Sequence, residues 1–169
     1  MERAIRTFIA TIAALMLTAC GIYSFSGTSI QADVNTINID FFEYKAMKVN
    51  PTLANDLTEA IRTQFRKMTR LEQVEMDGDL QISGQIVGYA ISPAAVTADE
   101  IAARNKLTIS VKVDFENKKH PEDSFTGKSF SGFAEYDSTN SLDAVENTLC
   151  TEIIAIIVED IFNATVAQW

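Results

Sequence analysis

Thr36-Ile37-Asn38-Ile39-Asp40-Phe41 alternates polar and apolar positions, the pattern of a half-buried strand. After a connection over 44–50, Leu53, Leu57, Ile61, Phe65 and Met68 recur on one face at helical spacing. Asn50 supplies an N-cap and Pro51 the first helical position. Asp56 and Glu59 come early and Arg62, Arg66, Lys67 and Arg70 late, as the macrodipole favours. The spacing predicts a helix over 51–68.

Leu71 to Met76 reads as a short strand before the turn signal Asp77-Gly78. Leu80, Ile82, Ile86 and Ala90 then alternate with Gln81, Ser83, Gln85 and Tyr89, while Gly84 and Gly88 mark either a bulge or close approach by a helix. Residues 92–103 read as a loop. The clearest strand sets Leu107, Ile109, Val111, Val113 and Phe115 against Thr108, Ser110, Lys112 and Asp114. A charged turn, Asn117 to Asp123, leads to a last strand over 125–136, with Phe130 and Ala134 on one face and Phe133 on the other. A long helix is expected over 141–166, capped by Asn140 or Ser141. Its wide apolar stripe is Leu142, Val145, Leu149, Ile153, Ile156, Ile157, Val158, Ile161 and Phe162. From Asp137 onward there are six carboxylates and no Lys or Arg, so its solvent side is anionic. Helices with one apolar face must lie on a sheet. The expected fold is therefore α+β, a two-layer sandwich with both helices on one face, one domain over 35–169. The other sheet face carries Gln81, Gln85, Tyr89, Thr108, Ser110 and Lys112, solvated or a contact surface.

The first 34 residues have a different character. Arg3 and Arg6 precede an apolar run, Thr7 to Leu17, too short to span a bilayer. Leu17-Thr18-Ala19-Cys20 has the form of the bacterial lipobox, in which the cysteine sulfur takes a diacylglycerol and the leader is removed before it. Residues 1–19 are thus read as a signal peptide, Cys20 as the lipidation site, and 20–34, rich in Gly, Ser and Thr, as a lipidated tether. Acyl chains at ~0.8 kcal/mol per buried CH₂ anchor stably when two or more are present. Gly21 lacks the acidic character that favours inner-membrane retention, so the expected location is the periplasmic side of the outer membrane.

The chain carries −9; the leader's Glu2, Arg3 and Arg6 account for +1, so the 150-residue mature part carries −10. That argues against nucleic acid as a partner. Lipid consumes Cys20, leaving Cys150 in an apolar segment as an inert buried thiol. No motif for catalysis, a metal or a cofactor stands out. The single histidine, His120, sits in the charged turn. Asp77 and Asp79 read as turn residues. Asp137-Ser138-Thr139 has two readings, an O-glycosylation acceptor at Ser138 or helix-entry chemistry. Arg104, Lys106, Lys112 and Lys128 likewise form either a basic patch able to meet phosphates or a scattered solvated set.

An ordered set of segments carries a resemblance: CGIYSFSG (20–27), VNPTLANDLTEAIRTQF (49–65), GDLQISGQIVGYAISP (78–93), RNKLTISVKVDFEN (104–117) and VEDIFNATVAQW (158–169). Together they resemble the LptE family of lipopolysaccharide-assembly lipoproteins over essentially the whole mature chain. The resemblance implies two helices on a mixed sheet of about four strands, and no enzymatic activity. It implies a plug in the lumen of the outer-membrane β-barrel LptD, assisting lipopolysaccharide transport and binding lipopolysaccharide directly. The one residue it assigns is the lipidated Cys20. The competing class is a generic outer-membrane lipoprotein, a small-ligand or peptide-binding module without a barrel partner.

Overall fold

The computed structural model describes residues 30–48, 50–94 and 103–167. The leader, Cys20 and most of the tether lie outside the described residues, as does most of the 92–103 connection.

The strands are β1 (Thr36–Ile39), β2 (Glu43–Tyr44), β3 (Glu72–Val74), β4 (Leu80–Pro93), β5 (Arg104–Asn117) and β6 (Phe125–Asp137). The helices are α1 (Leu53–Met68) and α2 (Leu142–Val166). One sheet runs in the order β3-β1-β4-β5-β6, with β2 also on β4. It is mixed. β1 pairs parallel with β3 and β4, and β2 parallel with β4; β4–β5 and β5–β6 are antiparallel. The expected α+β sandwich is present, with six strands against about four expected; β3 is the short strand read within Leu71–Met76, and β2, only two residues long, is the one without a periodic signal.

Both helices cover one face of the sheet. α1 buries Leu53, Leu57, Ile61 and Phe65, but Met68, expected on that stripe, is 50% exposed. Phe65 is instead closed off by an edge-on contact with Phe162 of α2, ring centroids 5.1 Å apart. α1 starts at Leu53, two residues later than expected, because Asn50 caps it from outside. The Asn50 side-chain oxygen accepts from the Thr52 and Leu53 amides at 3.2 and 3.1 Å. Ser141 precedes α2 without a side-chain cap. α2 carries a wide stripe because it packs on both β6 and α1. Ile153, Ile157 and Ile161 are fully buried, while Ile156 faces outward, 40% exposed.

Two glycines let the layers close. A Cβ on Gly132 of β6 would lie 3.0 Å from Ile153 Cγ2 and 3.1 Å from Ile153 O, so the missing side chain seats α2 on the strand. A Cβ on Gly84 would lie 2.5 Å from the ring of Phe42, so the close approach there is by an aromatic side chain rather than a helix.

β4 departs from strict alternation. Its register with β5 shifts between Ile86 and Gly88, which leaves Val87 as an extra, bulged residue. Beyond it the parity reverses. Tyr89, assigned to the polar face by simple alternation, pairs with Ile109 and is buried under the helices, whereas Ala90 pairs with Thr108 on the outer face. β4 also runs on to Pro93, and β5 starts at Arg104, so both strands extend into the stretch read as a loop.

Candidate functional site: the uncovered sheet face and its margins

No helix among the described residues lies over the second face of the sheet. β5 presents Arg104, Lys106, Thr108, Ser110, Lys112 and Asp114 there, opposite the parity of its buried apolar residues. Gln81, Ser83 and Gln85 flank them from β4, and Ser129, Ser131, Phe133 and Glu135 from β6. This face is rich in amides and hydroxyls, and carries one large exposed ring, Phe133, at 54%. The Lys106 ammonium lies 5.2 Å from that ring's centroid, a cation–π contact.

The four basic residues singled out from the sequence do not converge. Arg104 and Lys106 are neighbours on the outer face, yet Arg104 meets Glu135 at 3.7 Å. Its register partner is Asp137. Lys112 shares their face but lies six residues from Lys106, about 20 Å at the ~3.3 Å rise of a strand. Lys128 is on the other face. Plain alternation with buried Phe130 and Ala134 puts it there, as the partner of fully buried Val113; the register shift toward Phe115, with Gly127 at φ +65°, comes only beyond it. Its ammonium sits 4.9 Å from the Phe125 ring centroid and 5.6 Å from that of Phe130. So a strip of three cations, not a cluster of four, runs along the outer face of β5.

At one margin the end of the tether is pinned to the fold. Val34 is fully buried and Ile30 packs against the core, so residues 30–34 are held although their composition reads as tether. The Gln31 amide donates to Asp123 at 2.8 Å and Arg70 donates to the Gln31 carbonyl at 3.0 Å. His120 Nε2 and Asp33 Oδ1 are 3.1 Å apart. Asp79 accepts from the Asn35 and Thr36 amides at 3.0 and 3.2 Å, and these bonds, the Asn35 amide first, hold its carboxyl below the usual range. Asp79 thus braces the start of β1 from the turn after β3.

The His120–Asp33 pair gives the pin a pH window. The hydrogen bond to Asp33 raises the His120 pKa, and the same bond lowers that of Asp33. A raised histidine pKa stabilises below its unfolded value and that contribution fades as pH climbs through the folded value. A lowered carboxylate pKa stabilises above its unfolded value and fades as pH falls through the folded one. The pair is therefore strongest between about pH 4 and 6.5. Amide protection factors at residues 30–34, the intrinsic base-catalysed rate divided by the observed one, are expected to be highest in that window and to fall above pH 7. His120→Ala should flatten the alkaline limb; an unchanged profile would contradict the pairing.

A polar knot lies at the opposite end of the helices. The Tyr89 hydroxyl donates to Glu146 Oε1, and the Asn50 amide donates to the same oxygen at 3.2 Å. Asn50 also lies 3.8 Å from the Cys150 sulfur. Burial, then the bond to Glu146, pushes the Tyr89 pKa far up, and burial pushes the Cys150 thiol up as well. Cys150 is a buried free thiol, and the knot ties β4, the α1 cap and α2 together. Gly88, beside the bulge, was its one legible signal. Ser138 lies exposed in the turn between β6 and α2, where Asp137 Oδ1 accepts from the Thr139 amide and hydroxyl at 2.8 and 2.7 Å.

The family model of LptE, described as lipopolysaccharide-assembly, matches residues 34–165. The chain belongs to the LptE family. That membership places it among lipopolysaccharide-assembly proteins. No curated protein matches the chain. Among solved structures, the hypothetical protein CT253 from Chlamydia trachomatis is 10% identical over 80% of this chain and 99% of its own, with a TM-score of 0.54, which shows a shared fold. A minor lipoprotein from Acinetobacter baumannii is 11% identical over 76% of this chain and 89% of its own, TM-score 0.47. Lipoprotein B from Nitrosomonas europaea is 14% identical over 76% and 79%, TM-score 0.45.

Proposed function

We propose that this LptE-family chain is an outer-membrane lipoprotein, anchored by acyl chains on Cys20 on the periplasmic side, that seats in the lumen of an LptD-type β-barrel and assists lipopolysaccharide transport through it. The observation that carries the reading is the family match over 34–165, nearly the whole folded part. The uncovered sheet face supports it. A barrel lumen is lined by polar side chains, and a broad face of Ser, Thr and Gln can satisfy them without a large apolar patch. The pinned residues 30–34 suit the role too, since they fix where the tether leaves the domain.

Direct lipopolysaccharide binding is assigned to the strip of Arg104, Lys106 and Lys112. An acidic protein meets phosphates only through local cations, and these three share one face. Lys128, on the helix-side face, drops out of that group. Arg104→Glu, Lys106→Glu and Lys112→Glu together are expected to weaken lipopolysaccharide binding more than tenfold while a co-purifying barrel is retained. Retained ligand affinity with lost barrel recovery would make the strip a protein contact instead. Ser138, exposed in its turn, remains the proposed O-glycosylation position.

A further inference from the structure

A second surface lies on the far side of the helix layer. α1 and α2 run in the same direction: Asn50, just before α1, meets Glu146 and Cys150 near the start of α2, and Phe65 meets Phe162 near the ends. Between their outward sides runs a groove of about 760 Å³. Small residues open it, Ala60 on one helix and Ala155 on the other, and its floor is the outward edge of Ile154, Val158 and Phe162. Met68, half exposed, closes one end with a flexible apolar side chain.

The charge around this groove has one sign. Asp56, Glu59 and Glu159 line it, and among the described residues no Lys or Arg does. Glu59 is held by Arg62 at 2.8 Å. Among the described residues, Asp56 and Glu159 have no ion-pair partner. Glu159 stands three residues before Phe162 and Arg62 three before Phe65, so Glu159 lies about level with Arg62. That places it six residues along from Asp56, roughly 9 Å at 1.5 Å per residue. The groove thus offers two carboxylates about two helical turns apart, on opposite walls, with apolar floor between.

We propose that this groove receives a cationic segment of a partner protein, anchored by one or two apolar side chains over Ala60 and Ala155 and carrying Lys or Arg at both ends to meet Asp56 and Glu159. Charge selects this occupant. A lipid surface or lipopolysaccharide would bring phosphates to an anionic rim. A second copy docking groove to groove would bring its own Asp56, Glu59 and Glu159 against the same anionic rim. The inference does not rest on the barrel reading, because any envelope protein with such a segment would serve.

The test places the photo-crosslinker p-benzoylphenylalanine at Ala155, and separately at Ala60, in the full chain in the cells that make it. After irradiation the adduct is mapped to a peptide by mass spectrometry. The expected result is one protein segment with at least two Lys or Arg flanking an apolar residue. Its yield should fall at least tenfold in the Asp56→Lys, Glu159→Lys background, with the variant's thermal melt unchanged. No adduct, an adduct to lipid or to a second copy, an adduct to an acidic segment, or a yield unmoved by charge reversal would each overturn the proposal. Barrel recovery is read separately, so loss of one result leaves the other standing.

Discussion

Ile157→Ala is expected to lower the unfolding free energy by roughly 2–5 kcal/mol. Ile157 is fully buried in the middle of α2, with fully buried Ile153 and Ile161 one turn to either side. It sits over the gap that Gly132 leaves in β6, where an added Cβ would lie 3.3 Å from Ile157 Cγ1. The truncation removes three carbons from a place where the strand backbone and the helix are already in contact. Neither can move in to fill the space without breaking the Ile153 contact beside it. A cavity cost therefore adds to the lost transfer energy. Urea titration should show a lower midpoint at an unchanged slope. A shift below about 0.5 kcal/mol, the range of ordinary surface changes, would mean that α2 does not close this core.

Cys20→Ala is expected to abolish acylation and to prevent processing at this site, so that the acyl anchor is lost. The size of this effect follows from the anchor, since each CH₂ buried in the bilayer contributes ~0.8 kcal/mol and the chains act together. The described fold begins ten residues later, at Ile30, so the variant's thermal melt should match that of the wild type. Intact mass measurement of the wild-type mature chain should give an acylated amino terminus at Cys20. An unmodified amino terminus at another residue would refute the lipobox reading.

Periodicity made most of the fold legible. β1, β5, β6 and the two helices follow from alternation or a 3.6-residue stripe, and each stripe names its own buried face. Two kinds of feature escaped. β2, at two residues, is too short to have a period; its backbone pairing to Gln85 and Ile86 holds it, and pairing leaves no mark in composition. The bulges escaped because one extra residue inverts the parity of everything beyond it. Val87 turned Tyr89 inward to Glu146. Lys128 is a different case: it shares the parity of Phe130 and Ala134, so simple alternation already puts it on the face opposite Lys106 and Lys112. The basic strip was read with one residue too many because Lys128 was grouped by its neighbouring strand rather than by its parity, and as more compact than the roughly 20 Å of strand between Lys106 and Lys112 allows. The groove between the helices was invisible for another reason. The helical stripes mark what each helix buries, whereas the groove depends on small residues, Ala60 and Ala155, coming side by side on two helices at once.

The central claim is that this chain works as the lumenal partner of an outer-membrane barrel. The most direct measurement is affinity purification of the tagged, lipidated chain from detergent-solubilised outer membranes, with identification and stoichiometry of what elutes. The account predicts one large β-barrel protein in a 1:1 complex that survives the charge changes at Arg104, Lys106 and Lys112. Recovery of the lipoprotein alone, from membranes in which an LptD-type barrel is present and folded, would contradict it and leave a free binding module in its place.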